Sequence, residues 1–99
     1  MRPIHAARLG KARPVVILTR DLVRPHLERV TVAPITTTIR GLSTEVPLGL
    51  ANGLDHDCVI SCDNIVTVPK SVVGRVIGYL LPAQEAALSA AIRAAFDLD

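Results

Sequence analysis

The sequence is poor in aromatic residues and in cysteine. It contains one Phe, one Tyr and no Trp among 99 residues, which excludes a surface of several stacked aromatic side chains, such as an RNA-recognition sheet. Two cysteines are too few for a disulfide scaffold or a four-cysteine zinc site. The longest apolar stretches are about five to eight residues, far below the roughly 20 that a membrane-spanning helix needs.

Low-complexity segments, repeats and flexible Ser/Gly linkers are also missing. Hydrophobic residues make up 49% of the chain and charged residues 20%, a composition typical of a globular protein. The sequence therefore predicts a single domain over residues 1–99. Met1 is followed by Arg2 and Pro3 rather than by an apolar segment, so we expect no secretory signal and a cytoplasmic protein.

Charge is distributed unevenly along the chain. Residues 1–40 hold eight basic and two acidic residues, a net charge of +6, whereas residues 41–99 hold three basic and seven acidic residues, a net charge of −4. Most of the basic residues are arginines, which form bidentate pairs with phosphates and carboxylates. The basic half suits a polyanion or an acidic peptide, although pairing between the two halves would explain the same pattern.

Short β-branched runs separated by turn residues predict a mainly β fold. The predicted strands cover residues 4–9, 15–19, 30–39, 44–48, 58–62, 65–68 and 72–81. Pro34 has no N–H to donate, so we expect an edge or a bulge at that point. Gly74 and Gly78 indicate that the last strand is bent.

The pattern changes to a helix after Pro82. Residues 84–96 are strong helix formers, and Leu88, Ile92 and Phe96 recur every four residues on one stripe that we expect to pack against the core or a second subunit. Six or seven short strands followed by one helix fit a small, strongly curved antiparallel barrel that the helix closes.

Three stretches in this order resemble the MazF family of toxin–antitoxin endoribonucleases, and its mycobacterial branch in particular. The first is Arg13-Pro14 with the hydrophobic strand at 15–19. The second is Pro34 with the three threonines at 36–38, followed by residues 44–46. The third is the segment 59–65. Together with residues 74–81 they cover most of the chain.

The resemblance implies an SH3-like barrel of the MazF and CcdB toxin type that acts as a homodimer. It implies a sequence-specific endoribonuclease of a type II toxin–antitoxin system, which cuts single-stranded RNA without a metal or another cofactor and so inhibits translation and growth. The 2′-hydroxyl attacks the neighbouring phosphorus, leaving 2′,3′-cyclic phosphate and 5′-hydroxyl ends. A cognate MazE-type antitoxin with a disordered tail is the expected protein partner.

By motif position, Arg13 matches the family's catalytic arginine and Thr36 its catalytic threonine. Asp63 and Asn64 match positions that contact RNA bases. The full set of expected RNA-binding residues is Lys11, Thr37, Thr38, Arg40, Asp63 and Asn64.

The proposed chemistry is consistent with these residue types. A fixed guanidinium and a hydroxyl can stabilise the charge that develops on a phosphoryl group under attack. Thr36 and Thr38 would share one face of a strand and Thr37 the other. Arginine has a pKa above about 12 and is a poor general base, so Arg13 is predicted to stabilise charge, and the group that accepts the proton is left open.

Several residues have two readings at this level. Asp63-Asn64 could read bases or simply form the turn between two strands, and Glu45 could be a surface charge or a ligand contact. Cys58 and Cys62 would lie about 13 Å apart on an extended strand, too far for a disulfide, and are predicted to be buried free thiols.

Two other functions also remain compatible with the residues. One is a non-catalytic SH3-like module that binds RNA or an acidic peptide. The other is a gyrase poison of the CcdB type, for which the C-terminal residues 96–99 give little support. RNA end mapping separates the first from the enzyme, and a supercoiling assay separates the second.

Overall fold

A computed structural model describes all residues, 1–99, as seven strands followed by one helix. The strands are β1 (Pro3–Leu9), β2 (Lys11–Ile17), β3 (Arg29–Thr36), β4 (Glu45–Leu48), β5 (Cys58–Ser61), β6 (Val66–Pro69) and β7 (Val73–Tyr79), and the helix is α1 (Pro82–Ala95). Single 3-10 turns lie at Arg24–His26, Leu50–Asn52, Cys62–Asn64 and Lys70–Val72. The helix is not long and apolar enough to cross a membrane.

The strands form one antiparallel sheet in the order β4-β5-β3-β2-β1-β7, with β6 paired to β3 as well. The sequence predicts a closed barrel, but β4 and β7 at the two ends of this order do not pair. The expected fold is therefore present with one difference, which is that the sheet stays open between these two strands. Pro47 lies in β4 and offers no N–H to a further strand on that side.

A side-chain bridge spans this opening. The Asn52 side chain donates from Nδ2 to the Tyr79 carbonyl oxygen at 3.0 Å, and its Oδ1 accepts from the Gly49 backbone N–H at 3.0 Å. Gln84 of α1 also bonds to the Asn52 amide, and its Nε2 donates to the Pro47 carbonyl oxygen. The bridge therefore connects β4, β7 and the first turn of α1.

Pro34 occupies a different position from the edge or bulge that was expected. It pairs in regular register with Val15 of β2. On the other side of β3, residues 29–32 pair with β6, whereas Ile35 and Thr36 pair with β5. Pro34 thus falls in the interval between two partner strands, where its missing N–H interrupts neither ladder.

The core is aliphatic and divided into two clusters. The larger cluster includes Ile4, Val16, Ile60 and Leu80, together with Leu88 from α1. Ile92 packs against this cluster, but Phe96 is 55% exposed because it lies just beyond the end of the helix. Packing against the core is therefore confirmed for Leu88 and Ile92, whereas Phe96 stays outside the core and contact with a second subunit remains a prediction for it.

Candidate active site

A cleft of about 370 Å³ lies where the start of β2, the end of β3 and the residues flanking β4 and β5 come together. Its lining consists of Arg13, Pro34, Thr36, Thr38, Arg40, Leu42, Glu45, Ser61, Asp63 and Asn64. Residues from three separate stretches of chain, at 13, 34–45 and 61–64, thus share one concave surface. Six of the eight residues singled out from the sequence are among them.

Lys11 and Thr37 do not line this cleft. Thr37 follows the alternation expected of an extended chain and lies between two threonines that do line it. Lys11 lies in the part of β2 that pairs only with β1, because β3 covers β2 from Val15 to Ile17. It is therefore displaced from β3 toward the hairpin end.

Arg13 holds a buried donor with no partner. Its Nε is shielded from solvent and makes no hydrogen bond within the chain. A buried donor left unpaired costs about 1–3 kcal/mol, and such groups in folded proteins call for an explanation. Because this atom is closed to solvent, a phosphate in the cleft would bind instead to the two terminal guanidinium nitrogens, which make no hydrogen bond within the chain and are not buried.

The Thr36 hydroxyl is available as a donor. Thr36 ends β3, where it is held opposite Val59 of β5, and its Oγ1 accepts a hydrogen bond from the Thr38 backbone N–H at 3.1 Å. A hydroxyl has one proton and two lone pairs, so accepting this bond leaves its proton free. The free proton can be donated to an oxygen atom in the cleft.

Asp63 and Asn64 belong to the 3-10 turn Cys62–Asn64 between β5 and β6, so the turn reading is confirmed. The turn also directs both side chains to the cleft. Asp63 Oδ2 accepts from the Thr44 hydroxyl at 2.7 Å, and Asn64 Nδ2 donates to the Ser61 hydroxyl oxygen at 2.7 Å. Each side chain is anchored through one atom and keeps others free for a ligand.

Sequence reasoning gave little weight to Glu45, which lines the cleft and accepts bonds from three backbone N–H groups of residues 40–42. It also missed Leu42 and Ser61. Gly41, four residues before Glu45, indicates a turn here, but nothing in the sequence pattern shows that Glu45 binds this turn. With this carboxylate included, the charges of Arg13 and Arg40 are formally cancelled by those of Glu45 and Asp63.

Both cysteines are buried and free, as predicted. Burial, and secondarily the charge of Asp63, raises the pKa of the Cys62 thiol to about 11. Burial and the charge of Asp57 raise the pKa of Cys58 in the same way. Both thiols are therefore neutral at physiological pH, and Cys62 adds no negative charge beside the cleft.

The family model of PemK-like, MazF-like toxins of type II toxin–antitoxin systems matches residues 2–96. The chain belongs to this family. Endoribonuclease MazF3 of Mycobacterium tuberculosis is 66% identical over 99 residues, covering 100% of this chain and 96% of that relative. Probable endoribonuclease MazF2 of the same species is 42% identical over 80 residues, covering 80% and 78% of the two chains.

Solved structures of MazF toxins share the fold. The Mycobacterium tuberculosis toxin MazF-mt6 superposes with a TM-score of 0.95 at 65% identity and covers 99% of both chains. A mycobacterial endoribonuclease in complex with its cognate antitoxin superposes with a TM-score of 0.85 at 28% identity, covering 98% of this chain and 93% of that one. The family membership and the MazF-type fold expected from the sequence are thereby confirmed.

Proposed function

We propose that residues 1–99 form the single domain of a type II toxin that cuts single-stranded RNA at specific sequences and so inhibits translation and growth. Membership of the MazF-like toxin family supports this function, as do relatives that are themselves named endoribonucleases. The observation that carries the proposal is that one cleft is lined by both Arg13 and Thr36. A guanidinium and a hydroxyl on one surface suit a phosphate group whose negative charge increases during a reaction.

In the proposed reaction, the 2′-oxygen of one nucleotide attacks the adjacent phosphorus. The 2′-hydroxyl loses its proton, the new P–O2′ bond closes a 2′,3′-cyclic phosphate, and the P–O5′ bond breaks. The 5′-oxygen leaves with the bonding electron pair and takes up a proton to become a 5′-hydroxyl. No metal or cofactor takes part in this scheme.

Arg13 and Thr36 act on the phosphoryl oxygens. The guanidinium donates hydrogen bonds to the non-bridging oxygens as their negative charge increases, and the Thr36 hydroxyl donates a further one. Thr38, Arg40, Asp63 and Asn64 hold the flanking nucleotides. A carboxylate only accepts hydrogen bonds, so Asp63 suits an amino group on a base edge rather than a phosphate.

The proposed partners are RNA, an antitoxin and a second copy of the chain. The mycobacterial endoribonuclease solved with its cognate antitoxin supports the proposal of an antitoxin partner. An acidic tail on that partner would complement the +6 charge of residues 1–40.

Exposed apolar side chains such as Tyr79, Phe96 and Leu98 suit a homodimer, which sedimentation at micromolar concentration would detect as twice 10.6 kDa. We also propose a cytoplasmic location, because the proposed RNA substrate is found there.

RNA cleavage in the presence of EDTA tests the proposed function. We expect the parent to cut a long RNA at defined sites and leave cyclic phosphate and 5′-hydroxyl ends. Arg13→Ala should lower kcat by at least about 10²-fold, the usual effect of removing one donor that stabilises a developing oxyanion. Arg75→Ala is the matched control, since Arg75 is an exposed arginine of β7 outside the cleft.

A second pair of variants tests the threonines. Thr36→Val removes the hydroxyl in the cleft and should lower kcat, whereas Thr37→Val removes one outside it and should have a much smaller effect. Folded parent protein that leaves several long RNAs intact would rule out the enzyme. RNA binding without cleavage would then favour a binding module.

A further inference from the structure

Glu45 holds together the loop that forms one wall of the cleft. A single carboxylate oxygen, Oε1, accepts hydrogen bonds from three consecutive backbone N–H groups: Arg40 at 3.2 Å, Gly41 at 2.9 Å and Leu42 at 3.2 Å. The chain returns toward Glu45 through a turn in which the Glu45 N–H donates to the Leu42 carbonyl oxygen at 3.1 Å. The side chain and the backbone of one residue thus secure the same turn.

The backbone of this turn is shaped to receive a negative charge. Gly41 has a φ of +73°, in the left-handed region, and a Cβ added to it would meet no atom within 4 Å. The glycine is therefore required by the backbone conformation and not by lack of space. Successive N–H groups around a left-handed residue converge to form an anion-binding nest, and here the Glu45 carboxylate occupies it.

Few other bonds hold this part of the chain. Residues 37–41 make no backbone–backbone hydrogen bond, and they belong to no strand or helix. Glu45 itself is fixed, because it begins β4 opposite Ser61 of β5. Its carboxylate therefore connects a loop without secondary structure to the rigid sheet.

The connected loop contributes directly to the cleft. Arg40 and Leu42, on either side of Gly41, line the cleft together with Arg13 and Thr36. The position of the Arg40 guanidinium relative to a bound phosphate consequently depends on the bonds that Glu45 accepts. These bonds therefore favour RNA binding. The negative charge of Glu45 weakens RNA binding, because it repels the polyanion that the cleft is proposed to bind.

We propose that Glu45 is a positioning residue, which fixes the 40–42 turn so that Arg40 contacts an RNA phosphate next to the cut. This inference rests on the proposed function. It predicts that the acceptor oxygen of residue 45 is needed and that its charge is not. Glu45→Gln keeps an acceptor oxygen and loses the charge, whereas Glu45→Ala loses both.

Steady-state cleavage kinetics separate these two effects. We expect Glu45→Ala to raise KM about tenfold, equivalent to about 1.4 kcal/mol, and to change kcat by less than about threefold. Glu45→Gln should keep KM at or below the parent value. Glu28→Gln is the matched control, because it removes the same charge from an exposed residue outside the cleft and reports the effect of net charge alone.

A double-mutant cycle tests whether Glu45 acts through Arg40. If it does, Glu45→Ala adds nothing to the loss in Arg40→Ala, and the double variant has the KM of Arg40→Ala alone. Additive losses would overturn the proposal. It would also be overturned if folded Glu45→Gln lost as much kcat as Glu45→Ala, since the charged carboxylate would then be needed for the chemistry itself.

Amide hydrogen exchange gives a readout independent of RNA. The Gly41 N–H should be protected in the parent and in Glu45→Gln and should exchange rapidly in Glu45→Ala, with the strand amides unchanged. Rapid exchange of Gly41 in the parent would show that Glu45 does not hold the turn. If the parent cuts no RNA, the proposed function fails, while the exchange pattern still decides whether the carboxylate anchors the loop.

Discussion

The thiol of Cys62 lies beside the candidate active site but is closed off from solvent, with an exposed fraction of 1%. Its neighbour in the chain, Asp63, reaches the cleft, whereas the thiol packs into the larger core cluster. Ionising the thiol inside the core would place a second negative charge next to Asp63 in a poorly solvated position. Both effects keep the proton on the sulfur, and burial is the larger of the two.

This thiol makes stability depend on pH in alkaline solution. Its pKa is raised in the folded protein from 9.0 to about 11, so the folded state holds this proton more tightly than the unfolded state. The resulting stabilisation is complete below pH 9 and is lost as the pH rises to about 11. Denaturant titrations should show the free energy of unfolding falling by up to about 3 kcal/mol over this range.

Cys62→Ala is the control for this prediction. It lowers stability at every pH by removing core packing, but it should also flatten the decline between pH 9 and 11 relative to the parent. All other titratable groups are common to the two proteins, so the difference between the two curves isolates the thiol. Parallel curves for the parent and the variant would contradict the assignment.

The sequence predicts which site residues face the cleft where the two-residue alternation of an extended chain decides it. The alternation of an extended chain correctly separated Thr36 and Thr38 from Thr37. Lys11 lies outside the cleft because β3 pairs with β2 only from Val15 to Ile17. The sequence does not show where this pairing begins. The role of Glu45 depends on the left-handed backbone at Gly41, which a pattern of polar and apolar residues does not reveal.

At the scale of the elements, the segment around Asn52 and the strand β7 approach each other unusually closely. A Cβ added to Gly78 would lie 1.8 Å from the Asn52 carbonyl oxygen, a backbone atom held in the 3-10 turn Leu50–Asn52. A Cβ added to Gly74, in the same strand, would lie 3.3 Å from the Ala6 carbonyl oxygen. Of these two glycines, Gly78 is therefore the one that lack of space requires.

Two alanine substitutions in β7 test this difference. Gly78→Ala should destabilise the protein by about 3 kcal/mol, because it pushes the Asn52 turn away and breaks the bridge across the open side of the sheet. Gly74→Ala should cost less than about 1 kcal/mol, since a shift of a few tenths of an ångström relieves it. Thermal or denaturant unfolding measures both, and equal losses would show that the close approach is not rigid.

The elements themselves were largely predictable because each is a short apolar run between turn residues. All seven predicted strands and the helix occur, with ends that differ by a few residues. Closure of the barrel was not predictable. It depends on whether β4 meets β7, and the structure instead places Asn52 between them through a bond to Tyr79, 27 residues away in sequence.

At the scale of the whole molecule, surplus positive charge lies outside the cleft. The formal charges inside the cleft cancel, whereas a second cleft of about 450 Å³ is lined by Arg2, Arg20 and Arg24. Arg2 pairs with Glu85 at 2.8 Å and Arg24 pairs with Asp21, while Arg20 forms no ion pair. Three basic and two acidic residues thus give this second cleft a net charge of +1, and Arg20 is its unpaired cation.

We expect RNA that flanks the cut to use this excess. Arg20→Ala should raise KM and make it less sensitive to salt, with a slope of log KM against log salt reduced by about 0.7, the value for one phosphate contact on a single strand. The kcat at saturating RNA should not change. Arg93→Ala, on the exposed side of α1, is the control, and identical slopes for the two variants would contradict the assignment.

Gly10 alone joins β1 to β2, with Leu9 and Lys11 paired directly across it. Because the hairpin ends so close to Arg13, it has no spare length that could fold down as a lid over the cleft. RNA binding then does not wait for this hairpin to move, and we expect residence time to be set by the contacts made. Association rates should rise linearly with RNA concentration in stopped-flow experiments, and a plateau would reveal a gating step elsewhere.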